Sequence, residues 1–339
     1  MSNTIQSDVL VVIVNYRTPD LTINCLRSLV PEVRAVPGIT VTVVDNNSED
    51  GSVAKIQQAI AAEGWEDWAN LLPSSHNGGF AYGNNLAMRP AMQSANPPTY
   101  FLLLNPDTEI RLGAIKILVD FMECHPQAGI AGSGFELADG TPWQTILRFP
   151  SLLSELDSGL RLGIVSKLLS KWVVARPSNN EICETDWLPG ASMLIRRQVV
   201  ESVGLMDEEY FLYYEETDYC LQVKRAGWTC WCVPQSLVMH IGGQSTGVDV
   251  PDSPPKRLPK YCFDSRRRYF TKNYGFWYAA IADLLWILGF SLWKIRQTIQ
   301  RKPNYDPPYY LQDFIQNSVW LYWLQGLRSK LSGFNFRST

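Results

Sequence analysis

Leu102-Leu103-Leu104-Asn105-Pro106-Asp107-Thr108-Glu109 runs from strand-forming apolar residues straight into oxygen ligands. A carboxylate at the carboxyl edge of a parallel strand suits Mg²⁺ or Mn²⁺, and an ion held there usually carries a substrate diphosphate. An apolar strand closed by an Asn-Pro-Asp turn is also an ordinary structural object, so its neighbours decide the reading. Val9 to Val14 is a near-continuous apolar run, as expected of a strand buried on both faces, and it ends in Asn15-Tyr16-Arg17. Thr18-Pro19-Asp20 then opens a helix whose apolar residues Leu21, Ile23, Cys25, Leu26 and Leu29 fall on one stripe. A second strand, Ile39 to Val44, stops at Asp45-Asn46-Asn47-Ser48. Three strands ending in polar residues with helices between them predict a doubly wound α/β sheet, whose ligands bind at the carboxyl ends of the strands.

Between the second and third strands lies His76-Asn77-Gly78-Gly79-Phe80-Ala81-Tyr82-Gly83-Asn84-Asn85-Leu86. Its glycines permit close backbone approach, and a helix following them would turn free N–H groups toward an anion. The loop fits neither the dinucleotide fingerprint nor the Walker pattern and reads equally as a connector. Further on, Asp186-Trp187-Leu188-Pro189-Gly190-Ala191 leads into a strand, and an aromatic loop, Tyr210 to Tyr214, delivers Glu215-Glu216-Thr217-Asp218 to a helix N-terminus. These acids serve either as a helix cap or as a general base, since crowded carboxylates raise one another's pKa. His240, one of three histidines, closes a last strand; a lone histidine is structural or a ligand.

The ordered set from Asn15 to His240 resembles the family 2 glycosyltransferases of the GT-A fold, and within them the rhamnosyltransferase-like group. The resemblance implies a Rossmann-like, mostly parallel central sheet flanked by helices, and inverting transfer of a sugar from a nucleotide-sugar donor. Under it, Asn15, Tyr16, Arg17 and Asp45 line the base and ribose pocket. Asn47, Asn77, Gly79, Asn84, Asn105, Asp107, Trp187 and Gly190 complete the donor site, and Asp107 with His240 holds Mg²⁺ or Mn²⁺. The family usually writes its metal motif Asp-x-Asp; Asn105-Pro106-Asp107 keeps one carboxylate, a variant characteristic of the rhamnosyltransferase-like group. The usual Glu-Asp-x-Asp motif is here Glu215-Glu216-Thr217-Asp218, which leaves the base open between Glu215 and Glu216. Glu216 is the favoured base, with Glu215 and Asp218 orienting sugar hydroxyls. Trp187 and the Tyr210–Tyr214 loop would wall the sugar and acceptor sites, or belong to the core. The expected reaction moves L-rhamnose from dTDP-L-rhamnose to a glycan or lipid-linked acceptor in cell-surface polysaccharide synthesis. The alternatives are a UDP- or GDP-hexose donor, a nucleotidyltransferase, or a catalytically silent membrane-bound partner.

At 339 residues the chain exceeds one average domain. The expected division is a catalytic domain over 1–250, with a nucleotide-binding half at 8–125 and an acceptor half at 185–245, and a helical region over 256–339. A formal charge of −3 gives no case for nucleic acid. Seven cysteines without regular pairing indicate a reducing cytoplasm, Cys230 and Cys232 read as core, and the polar residues 1–7 carry no signal peptide pattern. After the proline-rich break at Pro251–Pro255, Phe276 to Ile295 is apolar over about the ~20 residues that cross a bilayer. Asp283 interrupts it, and cations flank both ends: Arg266, Arg267, Arg268 and Lys272 before, Lys294, Arg296, Arg301 and Lys302 after. A helix lying in the membrane interface, a helix packed on the body and a true span all stay open, the first being favoured because cations sit on both flanks. A second aromatic-rich helix, Tyr309 to Leu327, with Arg328 and Lys330 beyond it, extends the expected membrane surface over 264–330, on the inner face of the cell membrane.

Overall fold

The computed structural model describes residues 8–143, 146–177, 180–242 and 255–325. In chain order the elements are β1 (Val9–Asn15), α1 (Pro19–Ala35), β2 (Ile39–Asp45), α2 (Ser52–Ala62), β3 (Ala69–Pro73), α3 (Gly79–Met92), β4 (Tyr100–Leu104), β5 (Thr108–Ile110), α4 (Ala114–Cys124), β6 (Ala128–Glu136) and β7 (Pro142–Trp143). There follow α5 (Leu152–Leu160), α6 (Gly163–Leu168), β8 (Cys183–Thr185), β9 (Ser192–Arg196), α7 (Arg197–Val203), α8 (Glu215–Arg225), β10 (Thr229–His240), α9 (Lys260–Tyr274), α10 (Phe276–Ile299) and α11 (Tyr310–Gln316). The chain divides into two packed units, Met1–Phe149 with Ala175–Val250, and Pro150–Val174 with Pro251–Thr339.

The first unit is built on one sheet in the order β3-β2-β1-β4-β9-β6-β10-β5, with β7 on β6 and β8 on β10. Strands β3, β2, β1 and β4 are parallel, and the near-continuous apolar runs of β1 and β4 suit strands buried on both faces. Strand β9 runs antiparallel to both β4 and β6, and β6 is parallel to β10. The mostly parallel pattern therefore holds for the first half of the sheet, and the second half is mixed. Side-chain alternation sends Val9, Val11 and Ile13 to one core with Leu26, Leu29 and Ile56. Leu10 and Val12 go to the opposite core with Met88, Leu103 and Val199, so helices cover both faces.

This topology gathers polar residues along one edge. Asn15 pairs with Asp45, Ile13 with Leu104, and Leu104 with Ser192 at the start of β9. Strand β10 ends at His240, opposite Thr108 of β5. The buried hydroxyls of Ser133, Ser192 and Ser236 form a chain across β6, β9 and β10 with spacings of 2.7 and 2.8 Å, which satisfies polar groups inside the sheet.

The second unit is helical. Pro150–Val174, which sequence places inside the 1–250 body, belongs with the C-terminal helices instead. The reason is local: α5 crosses α10 at Gly159 and Gly289, where a Cβ on Gly159 would stand 2.7 Å from the Trp286 carbonyl oxygen and one on Gly289 would stand 2.9 Å from the Leu160 nitrogen. Beside this crossing, Arg266 donates to Glu155 Oε2 at 2.7 and 3.1 Å and to Asp283 Oδ1. Burial raises the Glu155 carboxyl above its ordinary pKa despite the guanidinium. Asp283 Oδ2 also accepts the Val319 amide at 2.7 Å. That bond restarts the helix expected to run unbroken from Tyr309, which stops at Asn317–Ser318 and resumes over 319–325; Asn and Ser are weak helix formers because their side chains compete for the backbone. Pro251 to Pro254, Leu327, Arg328 and Lys330 lie outside the described residues.

Removing one member of a buried ion network leaves the rest uncompensated, so Asp283→Ala is expected to destabilise the protein by about 3–5 kcal/mol. Chemical denaturation checks it; a loss below about 1 kcal/mol would mean that Arg266 is neutralised elsewhere.

Candidate active site

The crevice begins at the ends of β1 and β2. Asn15 is fully buried, and its Nδ2 donates to Asp45 Oδ2 at 2.7 Å and to Ser48 Oγ at 3.3 Å. Its Oδ1 accepts from the amide of Thr18 and the hydroxyls of Thr18 and Thr22. Asp45 also accepts the Ser48 amide and hydroxyl. Asn15 thus holds Asp45 rather than offering free donors. Arg17 is exposed, sits at φ +57, and lies over the Tyr16 ring at 5.1 Å. Its Nε donates to the Ser48 carbonyl and its amide to Ser48 Oγ. Asn47 occupies φ +59, a left-handed conformation that asparagine tolerates better than most residues.

Asn46, part of the Asp45–Ser48 stretch but not among the expected site residues, connects this edge to the glycine-rich loop. Its Nδ2 donates to Asn77 Oδ1 at 2.8 Å and to the Gly79 carbonyl at 3.0 Å. The Gly79 amide donates to Asn77 Oδ1 and the Phe80 amide to the Phe211 carbonyl. These two amides, expected to face an anion, are therefore engaged by the protein. Gly79 has a different necessity: at φ +86, a Cβ there would lie 1.9 Å from the Phe211 carbonyl oxygen. Gly190 likewise makes room for the Phe80 ring, 2.7 Å from where its Cβ would be. Asn84 donates to the Phe80 carbonyl, while its buried Oδ1 has no partner. Trp187 donates its indole N–H to the Arg148 carbonyl at 2.8 Å, which fixes the orientation of the ring.

The Asn105 amide donates to the Ala191 carbonyl at 3.1 Å. Asp107 then projects toward His240, with Oδ1 3.2 Å from Nε2. Both side chains are buried, yet neither histidine nitrogen has a hydrogen-bond partner. A ring nitrogen and a carboxylate oxygen converging without a shared hydrogen bond fit a divalent cation. Among the described residues no group of three or more His, Cys, Asp or Glu side chains could hold a metal. Two protein ligands are what Mg²⁺ or Mn²⁺ accepts when waters and phosphates fill the other positions. Trp143 stacks on His240 at 5.1 Å and 17°, and Phe135 lies at 5.6 Å on a tilt. A two-residue strand carries no periodicity by which Trp143 could have been found. Cys230 and Cys232 are buried in the core.

Helix α8 starts after Tyr213 and Tyr214, both at φ +68, a costly conformation for aromatic residues. Glu215 is 3% exposed and Glu216 half-buried, and the Oε2 atom of each is buried without a partner. Burial, joined by the charge of Glu216, raises Glu215 well above the carboxylate range, and burial pushes Glu216 up to about 7. Asp218 accepts from Gln222 Nε2 at 3.4 Å. The crevice therefore carries a histidine–carboxylate corner whose donors suit a divalent cation, and the first turn of α8 carries two carboxyls that burial raises above their ordinary pKa.

Residues 6–253 match the model of glycosyltransferase like family 2. The N-acetylglucosaminyl-diphospho-decaprenol L-rhamnosyltransferase of Mycobacterium tuberculosis is 27% identical over 271 residues, covering 75% of this chain and 81% of that one. The dTDP-rhamnosyl transferase RfbF of Shigella flexneri is 25% identical, covering 74% and 76%. Among solved structures, mannosyltransferase PcManGT from Pyrobaculum calidifontis in complex with GDP-Man and Mn²⁺ aligns at a TM-score of 0.54 and 14% identity, over 94% of this chain and 88% of that one. GalNAc-T7 with UDP, GalNAc and Mn²⁺ aligns at 0.57 and 13%, over 92% of this chain and 58% of that one. With the GT-A fold shared and the family model matched over residues 6–253, well over half of the chain, the chain belongs to glycosyltransferase like family 2 and is a glycosyltransferase.

Proposed function

We propose that the protein is an inverting rhamnosyltransferase that moves L-rhamnose from dTDP-L-rhamnose to a lipid-linked or other glycan acceptor at the cytoplasmic face of the cell membrane, in cell-surface polysaccharide synthesis. The donor assignment draws on the activities of the relatives in Mycobacterium tuberculosis and Shigella flexneri. The observation that carries the chemistry is the Glu215–Glu216 pair, buried at a helix start with unpartnered oxygens. Inversion is one displacement: the acceptor oxygen bonds to the anomeric carbon, the bond to the diphosphate oxygen breaks, and a carboxylate takes the hydroxyl proton. Glu216 suits that role, because it is the less buried of the two residues and burial draws its pKa to about 7. Glu215 and Asp218 would orient sugar hydroxyls.

On the donor side, the Asn15–Asp45 edge with Tyr16, Arg17 and Asn47 would receive the nucleotide, and Asn77, Gly79, Asn84, Asn105, Trp187 and Gly190 would shape the space for the sugar diphosphate. Asp107 and His240 would hold Mg²⁺ or Mn²⁺, which when bound neutralises the diphosphate charge. The catalytic unit is the first one, and the second would carry the membrane contact.

That contact has a defined face. On α10, Ile281, Leu284, Leu288, Leu292, Ile295 and Ile299 recur at spacings of three and four and are each 46–75% exposed. The other face buries Ala279, Ala282, Asp283, Trp286 and Phe290. A row of exposed aliphatic residues flanked by cations fits a helix lying in the headgroup region of anionic bilayers. The buried ion network on its other face fits a span poorly.

Three outcomes are expected. Glu216→Gln should abolish nucleoside diphosphate release in the presence of acceptor while leaving dTDP binding with Mn²⁺ within about threefold in calorimetry; loss of both would reassign Glu216 to donor binding. The acid limb of kcat/KM should lie near 7, because the base works deprotonated. The stability contribution runs the other way: the folded state holds a proton that the unfolded carboxyl releases near its ordinary value, so stability falls as pH rises from about 4.5 to about 7. An acid limb below about 5 with stability flat over that window would remove the carboxyl pair from the chemistry. Leu288→Glu with Leu292→Glu should abolish sedimentation with vesicles containing phosphatidylglycerol while dTDP binding persists; unchanged sedimentation would move the contact off α10.

A further inference from the structure

Two asparagines follow one another on α3, and the structure separates their roles. Asn84 faces its own helix, whereas Asn85, 1% exposed, reaches out of it to the segment that leads into α8. Its Nδ2 donates to the Met206 carbonyl at 2.7 Å and to Glu208 Oε1 at 2.8 Å, and its Oδ1 accepts the Met206 amide at 3.2 Å. A carboxamide is the short neutral side chain that can donate and accept at once, so it pairs with both polar groups of one residue as a neighbouring strand would. Arg89, one turn further along α3, holds Glu208 at 2.5 Å from the solvent side. At the other end of the segment the Phe80 amide donates to the Phe211 carbonyl at 2.9 Å, in the space left by the missing Cβ of Gly79.

The segment from Met206 to Phe211 is thus pinned to α3 at both ends, and Glu215 stands four residues after the second pin. Between them the backbone passes through the two left-handed tyrosines, Tyr213 and Tyr214, a conformation that persists only where the surroundings impose it. Helix α8 offers no side-chain cap of its own at its start. The segment that leads to the carboxyl pair is therefore tied to α3, the same helix whose opening loop is tied to β2 through Asn46 and Asn77.

We propose that Asn85 is a positioning residue: by pinning the Met206–Phe211 segment to α3, it holds the Glu215–Glu216 pair at a fixed place relative to the Asn77–Gly79 loop. The role of that pair as base rests on the rhamnosyl-transfer reading above; the pinning itself does not. A substitution that removes the amide leaves the Met206 N–H and C=O buried and unpaired, and the segment gives way. Asn85→Asp is the sharper change, since it keeps the shape but sets a carboxylate oxygen against the Met206 carbonyl and Glu208.

The test measures hydrogen exchange and turnover on the full-length protein, for Asn85→Ala and Asn85→Asp, with Arg89→Ala as a milder loosening of the same pin in case the buried variants fold poorly. Peptides covering 204–220 are expected to exchange at least tenfold faster than in the parent protein, with those from β1 and β2 unchanged. Per folded molecule, kcat should fall at least tenfold with the KM for dTDP-rhamnose within about twofold; a purely structural role would lower the folded fraction and leave kcat per folded molecule intact. Unchanged exchange in 204–220 overturns the pin. Faster exchange with kcat unchanged overturns the positioning of the base. A parent protein silent with every donor would instead count against the transfer reading, and the exchange measurement would still decide the pin.

Discussion

The hydrogen bond from Asn15 to Asp45 is the constraint from which the crevice follows. Two parallel strands in register end side by side, and their last side chains are buried where a carboxylate cannot stay without partners. Asn15 supplies one, Ser48 supplies two more, and the oxygen of Asn15 is then held by Thr18 and Thr22 at the start of α1. One carboxylate thereby fixes the turn after β2 and the entry to the first helix. Asn46 carries the same order outward to Asn77 and Gly79, so this edge of the sheet is one connected network rather than a set of independent loops.

Much of this architecture was readable in the sequence because its cause is local. Apolar runs such as Val9–Val14 and Ile39–Val44 can be satisfied only by a sheet covered on both faces, and Thr18-Pro19-Asp20 is a helix opening whatever surrounds it. The reversal at β9 was not readable, since a short strand with an apolar Met193–Ile195 centre reads alike in either direction. Nor was the attachment of Pro150–Val174 to the C-terminal helices, because the Gly159–Gly289 crossing and the Glu155–Arg266–Asp283 network join residues more than a hundred positions apart.

The site divides along the same line. Asp107, His240 and Glu216 are visible as residue types at strand ends and a helix start, where chemistry concentrates. The glycines were legible as positions but not as causes: Gly79 looks like a phosphate-loop residue and Gly190 like part of a turn into a strand, yet a Cβ on either would collide with Phe211 or Phe80. Asn46 and Asn85 sit beside residues that the motifs single out, and nothing in a linear pattern tells which of two adjacent asparagines points inward. That information exists only once α3 has been placed against its neighbours.

The carboxyl pair shows why such supports are needed. A glutamate that is to hold its proton near pH 7 must be kept from water, and two of them side by side in a buried place at a helix start oppose folding whenever both are ionised. A segment free to move would relieve that tension by letting α8 turn its first residues toward solvent, and the pKa would fall to the ordinary range. The network from Asp45 through Asn46 to α3, and from α3 to Met206 and Phe211, removes that freedom. The polar order at the ends of β1 and β2 and the raised acids at the start of α8 are therefore one arrangement: the first supplies the rigidity without which the second would relax away.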